Sequence, residues 1–272
     1  MPRAGLVRSL APIVFVIVSA SVIGPARSSA QVASPSLAEI DLLQILGDGV
    51  IGNAESAHRL SGFERLARWQ MGEWRYRITS GVRRGETEVE SLTPVSVTAR
   101  GETWKRTIGQ DSTLFLREVG VSSLVLPSQI THPYRGLVYF EPPLIYLVAG
   151  LDPGESRVFD GRIDVYSLAS PGLKWYTGRI RATTVYTGVY RVTTPAGSFR
   201  ASLIKTEYQI DIFATVSVRD TLYTFYAEGI GKVAEAEHRR IAAMGLFNSD
   251  TKIGKVLVSY TSVSPPPRIE SP

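Results

Sequence analysis

Thr215-Val216-Ser217-Val218-Arg219-Asp220-Thr221-Leu222-Tyr223-Thr224-Phe225-Tyr226-Ala227 is the stretch on which the fold turns. Successive side chains of a strand point to opposite faces. Leu222, Thr224 and Tyr226 therefore share one side, and Tyr223 and Phe225 share the other. Both sides are apolar. Upstream, Ile210 and Ile212 face opposite Phe213. An antiparallel sheet normally keeps one face wet. Two apolar faces predict a mainly β protein whose antiparallel sheet curves around an interior, as a half-barrel or incomplete barrel. N-terminal helices would cover its other face. A β-sandwich is the alternative.

Strand patterns extend in both directions from this stretch. Trp74, Tyr76 and Ile78 alternate with Glu73, Arg75 and Arg77, which reads as a half-buried strand. Further strands are expected at 87–90, 95–99, 103–108, 113–119 and 121–126. Later ones fall at 156–159, 162–168, 174–186, 189–194, 199–212, 231–240 and 255–263. Leu144–Leu151 reads as strand or short helix. Gly81–Gly85, Asp152-Pro153-Gly154, Asp160-Gly161, Ser170-Pro171-Gly172 and Pro195-Ala196-Gly197 carry turn chemistry. About a dozen short strands at hairpin spacing argue for antiparallel β rather than α/β.

The N-terminal part has a different character. Met1–Ala30 has the build of a secretory signal peptide: Arg3 and Arg8, then an apolar run from Leu10 to Ile23, then Ser28-Ser29-Ala30 as a cleavage site before Gln31. The run is shorter than the roughly 20 residues that span a bilayer. Ser36 with Glu39 forms a capping box for a helix over 37–46. Leu60, Phe63, Leu66, Ala67 and Trp69 suggest a second helix within 54–70. The expected organisation is a signal peptide over 1–30, a linker and helical segment over 31–72, a β domain over 73–263 and a disordered Pro-rich tail over 264–272.

Composition removes several classes of function. The 272 residues carry a formal net charge of +5, but Arg3, Arg8 and Arg27 lie in the leader. Residues 31–272 hold 27 basic against 25 acidic side chains, too even for a nucleic-acid binder. Cysteine is absent, which excludes disulfides, thiolate zinc sites and thiol catalysis. His58, His132 and His238 stand in no metal-ligand spacing, so no metal is expected. Gly47–Gly52 matches a dinucleotide-binding pattern but lacks the βαβ context, and no cofactor is expected. No nucleophile elbow occurs. Glu207 and Asp211 lie about 13 Å apart on one strand face, beyond the span of a glycosidase pair. They read with Gln209 as a wet outer face. Glu235, Glu237 and His238 read as a solvated strand end. Arg75, Arg77, Arg83, Arg84, Arg100, Lys105 and Arg106 interleave with Glu86, Glu88, Glu90 and Glu102 as ordinary sheet pairs, or as a patch for an anionic envelope component.

Thr193-Thr194-Pro195-Ala196-Gly197-Ser198-Phe199, with Tyr223–Val233 and the Leu151-Asp152-Pro153-Gly154-Glu155 turn, resembles a family of exported bacterial β-rich proteins of unknown function. The resemblance spans about 151–233 and rests on turn chemistry. It implies an envelope protein similar in architecture to the periplasmic lipoprotein carriers, with half-barrel and helical lid. It implies no catalytic residue. Together these readings describe a non-enzymatic periplasmic protein that binds or escorts a lipid or other amphipathic envelope component, with peripheral membrane contact. Its candidate ligand-lining residues are Tyr186, Tyr208, Tyr223, Phe225 and Tyr226. The competing reading is a structural or interaction protein of the envelope with a filled core.

Overall fold

The computed structural model describes residues 37–60, 62, 66, 71–98, 101–119, 123–212, 216–243 and 247–263. The expected signal peptide, the linker before Leu37, most of 61–70 and the Pro-rich tail lie outside the described residues. Among the described residues, Leu66, within the expected second helix, is helical, and a short helix, α1 (Leu37–Gln44), is followed by thirteen strands. These are β1 (Ile51–Glu55), β2 (Met71–Ile78), β3 (Thr87–Thr98), β4 (Gly101–Ile108), β5 (Ser112–Val119), β6 (Ser123–Thr131) and β7 (Gly136–Val148). They continue as β8 (Ser156–Ser167), β9 (Lys174–Thr194), β10 (Gly197–Ile212), β11 (Val216–Ala227), β12 (Gly231–Ala243) and β13 (Phe247–Val263).

Every pairing is antiparallel, and β13 pairs with β2 while β8 pairs with β9. The sheet therefore closes on itself. Strands β2 to β13 make a twelve-stranded barrel, and β1 lies outside it as an extra strand on β9. This corrects the expected half-barrel and disposes of the sandwich. Closure leaves no long unpaired edge within the barrel. The reason lies in strand length. The patterns read as separate strands at 156–159 and 162–168, and again at 174–186 and 189–194, are single continuous strands. β9, 21 residues long, pairs with β10 along its length and with β8 only as far as Val185. The freed edge of β9 beyond Val185 is taken by β1, through Ala54↔Tyr190 and Ile51↔Val192. Strand thus replaces helix at Ala54 and Glu55, which corrects the start of the second helical pattern. Pro142 and Pro143 bring the β7–β8 ladder to its end at Glu141↔Arg162, since neither proline has an N–H to offer.

α1 packs on the outside of the barrel. Leu42 and Leu46 are buried in the same apolar cluster as Tyr190, Ala201, Leu203, Phe225, Ala234 and Ala236. The close approach is permitted by small residues on the wall: Ala234, Ala236 and, opposite Ala236, Gly254. A Cβ at Gly254 would lie 2.7 Å from the Ile45 carbonyl oxygen. The Thr79 hydroxyl donates to that same carbonyl at 2.7 Å.

The Pro195-Ala196 link is a two-residue hairpin turn, with Thr194 paired to Gly197. Gly197 takes φ 138°, a conformation that favours glycine. Gly197→Val is expected to cost about 1–3 kcal/mol through backbone strain. A chemical denaturation midpoint equal to wild type would contradict it.

Candidate functional site

The barrel interior is defined by register. On β2, buried Trp74, Tyr76 and Ile78 alternate with outward Arg75 and Arg77. Tyr76 pairs with Glu88 on β3, and Trp74 with Glu90. Directly opposed residues share a face, so Glu88 and Glu90 point inward with the aromatics. The same logic places Arg106, Asp220, Lys232, Glu235, Glu237, Arg239 and Lys255 inside. The interior is divided. β6 to β10 line it with Leu126, Val138, Phe140, Ile163, Ile180 and Ile210; β2 to β4 and β11 to β13 fill it with charge.

The charges form a connected network. Glu90, with no solvent exposure, accepts from Arg106 Nε at 3.0 Å and from Lys232 Nζ at 2.7 Å. Lys232 also reaches Glu235 at 3.1 Å and lies over the Tyr76 ring, 5.0 Å from its centroid. Lys255 donates to Glu88 at 2.7 Å and lies 3.6 Å from Glu235. Arg239 donates to Asp220 at 3.0 Å and pairs with Glu237. Arg106 also donates to the Tyr146 hydroxyl at 2.5 Å. Four bases meet four carboxylates, Glu88, Glu90, Glu235 and Glu237, with Asp220 as a fifth acid.

Each shift in acidity follows from this arrangement. Burial alone would raise Glu90, but Arg106, Lys232 and Lys255 outweigh it and hold the carboxyl at about 2. Glu235 is likewise lowered, by Lys232 and Lys255 against burial. Asp220 moves the other way. Burial and the neighbouring Glu237 together exceed the help of Arg239 and push it well above the usual carboxylate range. Its Oδ1 has no hydrogen-bond partner among the described residues. Asp220 is therefore the acid of the five whose neutral form this environment favours most. Asp220→Asn keeps the shape and removes a charge that burial and Glu237 disfavour, so stability at pH 7 is expected within about 1 kcal/mol of wild type. A loss of several kcal/mol in urea unfolding would show that the acid is ionised.

The partly open cavity bounded by Trp74, Tyr76, Leu92, Arg106, Tyr146, Tyr226 and Lys232 holds about 30 Å³. That is room for one or two water molecules, against the roughly 300–1,000 Å³ of small-molecule pockets. Of the candidate ligand-lining residues, Tyr226 lines this cavity. Tyr186 and Tyr208 also face inward and are buried, but do not line it. Tyr223 and Phe225 face outward beneath α1. The Tyr223 hydroxyl donates to Glu39 at 2.7 Å beside Lys205 Nζ at 2.8 Å, and Phe225 meets Tyr190 edge-on. The five are thus divided between the two sides of the wall.

Reading Glu235, Glu237 and His238 as a solvated strand end is corrected. Glu235 and Glu237 are buried mid-strand, and His238 faces outward and meets Asp250 at 2.8 Å. The early basic and acidic residues are split as well: Arg106, Glu88 and Glu90 lie inside, Arg75 and Arg77 outside. On β12 the interior face is carried by Glu235, Glu237 and Arg239, alternating with Ala234 and Ala236, a pattern that ordinarily marks a wet face, and Lys232 turns inward through a register shift. Glu207, Gln209 and Asp211 are exposed on the outer wall, as the pattern suggests. Gly47–Gly52 forms the connection between α1 and β1 and the first residues of that strand. No cluster of three or more metal-ligating side chains occurs among the described residues.

No protein-family model matches the chain, and no curated protein matches it. Among solved structures it is similar to a Bacteroides fragilis protein described as exported and as having a YmcC-like fold. The identity is 15%, over 76% of this chain and 100% of that one, with a TM-score of 0.43. It is also similar to a Parabacteroides distasonis protein described as a lipoprotein. There the identity is 11%, over 75% of this chain and 100% of that one, with a TM-score of 0.41.

Proposed function

We propose that this is a non-enzymatic protein exported to the periplasm, working as an interaction module of the cell envelope through the outer wall of its barrel. One observation carries the reading. The interior carries a connected network of buried ion pairs, and the cavity beside it among the described residues holds only about 30 Å³. Such a core fixes the wall in shape, and a cavity of that size has no room for an acyl chain. Export rests on the leader sequence.

The barrel differs from a membrane-spanning one in its outward residues. Glu73, Arg75 and Arg77 on β2, and Glu207, Gln209 and Asp211 on β10, alternate with buried residues on the inner face. Lipid-facing positions of a membrane barrel are apolar. Binding or escorting an apolar or amphipathic component within the barrel would require part of the ionic core to be displaced.

An environment-sensitive naphthalene dye such as ANS separates the two readings. With a filled core, the folded protein at pH 7 leaves dye fluorescence at the level of buffer, and a long-chain fatty acid changes nothing. Saturable dye binding that the fatty acid displaces would overturn the filled-core reading and restore the carrier.

A further inference from the structure

The outer wall carries a row of side chains that no local sequence pattern shows. Register aligns six consecutive strands, β8 to β13, as Asp160↔Arg181↔Gln209↔Arg219↔Arg240↔Asp250. The adjacent row places Arg162 opposite Arg179, and Arg179 opposite Asp211. Arg162, Arg179, Arg181, Arg219 and Arg240 are all exposed. Two open grooves follow this belt. One, of about 1040 Å³, is bounded by Arg162, Arg179, Arg181, Gln209 and Asp211; the other, of about 450 Å³, by Arg219, Arg240, Asn248 and Asp250.

Two of these contacts set like charges face to face: Arg162 against Arg179, and Arg219 against Arg240. Directly opposed like charges destabilise a sheet. The fold shows elsewhere how it resolves such a pair. Arg191 faces Arg200 between β9 and β10, and the Glu55 carboxylate from β1 bridges them, at 2.7 Å to Arg191 and 3.1 Å to Arg200. The belt lacks such bridges. Arg181 approaches Asp160 at 4.0 Å, and Arg162 pairs with Glu141 and Asp164. Arg179, Arg219 and Arg240 have no ion pair among the described residues. Asp250, the acid nearest Arg240 in the row, is engaged by His238.

We propose that this belt binds an extended acidic polysaccharide, whose carboxylates take the place that Glu55 fills between Arg191 and Arg200. The inference rests on the outer wall being the working surface. Geometry favours a linear chain over a bilayer. From Arg181 to Arg240 the row crosses three strand spacings, roughly 14 Å, and it runs around the curved circumference of the barrel. A flat anionic membrane touches a convex wall along a narrow strip, whereas a flexible chain follows it and enters both grooves. Planar guanidinium groups suit carboxylates in particular, through paired N–H donors.

The probe is polygalacturonate, with neutral dextran and phosphatidylglycerol vesicles as parallel arms, measured by titration calorimetry at low salt. Wild type is expected to bind polygalacturonate, more weakly as salt rises, and to ignore dextran and vesicles. The triple variant R179Q/R219Q/R240Q is expected to lose roughly tenfold or more in affinity, from three exposed charge contacts. It should melt no lower than wild type, because it relieves two like-charge pairs. R75Q/R77Q, on the outer face of β2, is expected to bind within about twofold of wild type by the same reasoning. No binding to polygalacturonate, binding to vesicles instead, or equal losses in both variants would overturn the proposal. Failure here with a dye-negative, lipid-free barrel would leave the filled-core reading intact, while dye uptake displaced by fatty acid would reject that reading whatever the belt binds.

Discussion

Glu90→Gln is expected to destabilise the protein by about 3–5 kcal/mol, the usual consequence of removing one partner from a buried ion pair. Glu90 is fully buried, and its two oxygens serve two cations, Arg106 and Lys232. An amide cannot balance either charge, and Lys232, 2% exposed, cannot reach bulk water without opening the barrel. Urea unfolding at pH 7 measures the loss. Glu73→Gln is the control, because Glu73 and its partner Arg75 are 40% and 52% exposed. An exposed pair contributes little, so that variant should stay within about 1 kcal/mol of wild type. The same residue sets an acid limit. Its folded pKa, about 2, lies below its ordinary 4.5. A depressed acid stabilises the fold fully above its unfolded pKa and loses that contribution as pH falls toward the folded value. The contribution is about 3 kcal/mol, present above pH 4.5 and lost between there and pH 2. Wild type should therefore lose more stability than Glu90→Gln over that interval. Parallel pH profiles for the two proteins would show that Glu90 titrates normally.

Leu46→Asp is expected to cost at least about 4 kcal/mol, by placing an unpaired charge in an apolar contact. Leu46 is 1% exposed and follows α1, in the cluster formed with Phe225, Leu203 and Ala234. Leu46→Met keeps the volume and should cost less than about 1.5 kcal/mol. The contrast separates burial from any general intolerance of the position. If both variants melt with wild type, α1 is not held against the wall.

The two faces of the Thr215–Ala227 stretch explain how far the sequence could be read. Leu222 and Tyr226 do enter the interior, and Tyr223 and Phe225 do lie beneath an N-terminal helix. Apolar residues on both sides of one strand were enough to require a cover on each side. The closure was not legible, because it depends on β13 meeting β2 and β8 meeting β9, contacts between residues far apart in sequence. The charged interior was hidden for a different reason. Alternating charged and small residues, as in Ala234-Glu235-Ala236-Glu237, ordinarily mark a wet face and a dry one. Here the charges are the interior face, and the alanines meet α1 outside. Glu88 and Glu90 carry no mark in the sequence that they face Lys255 and Lys232, more than 140 positions away. The tyrosines were legible as buried residues, but strand parity alone could not say which side of the wall each would occupy.

The filled-core reading holds that the barrel carries no ligand inside. Native mass spectrometry of the protein released from the envelope by mild extraction tests it most directly. The account predicts a single species at the mass of the polypeptide alone, unchanged after organic extraction. A species heavier by the mass of a lipid, retained through gentle activation and removed by solvent, would contradict it.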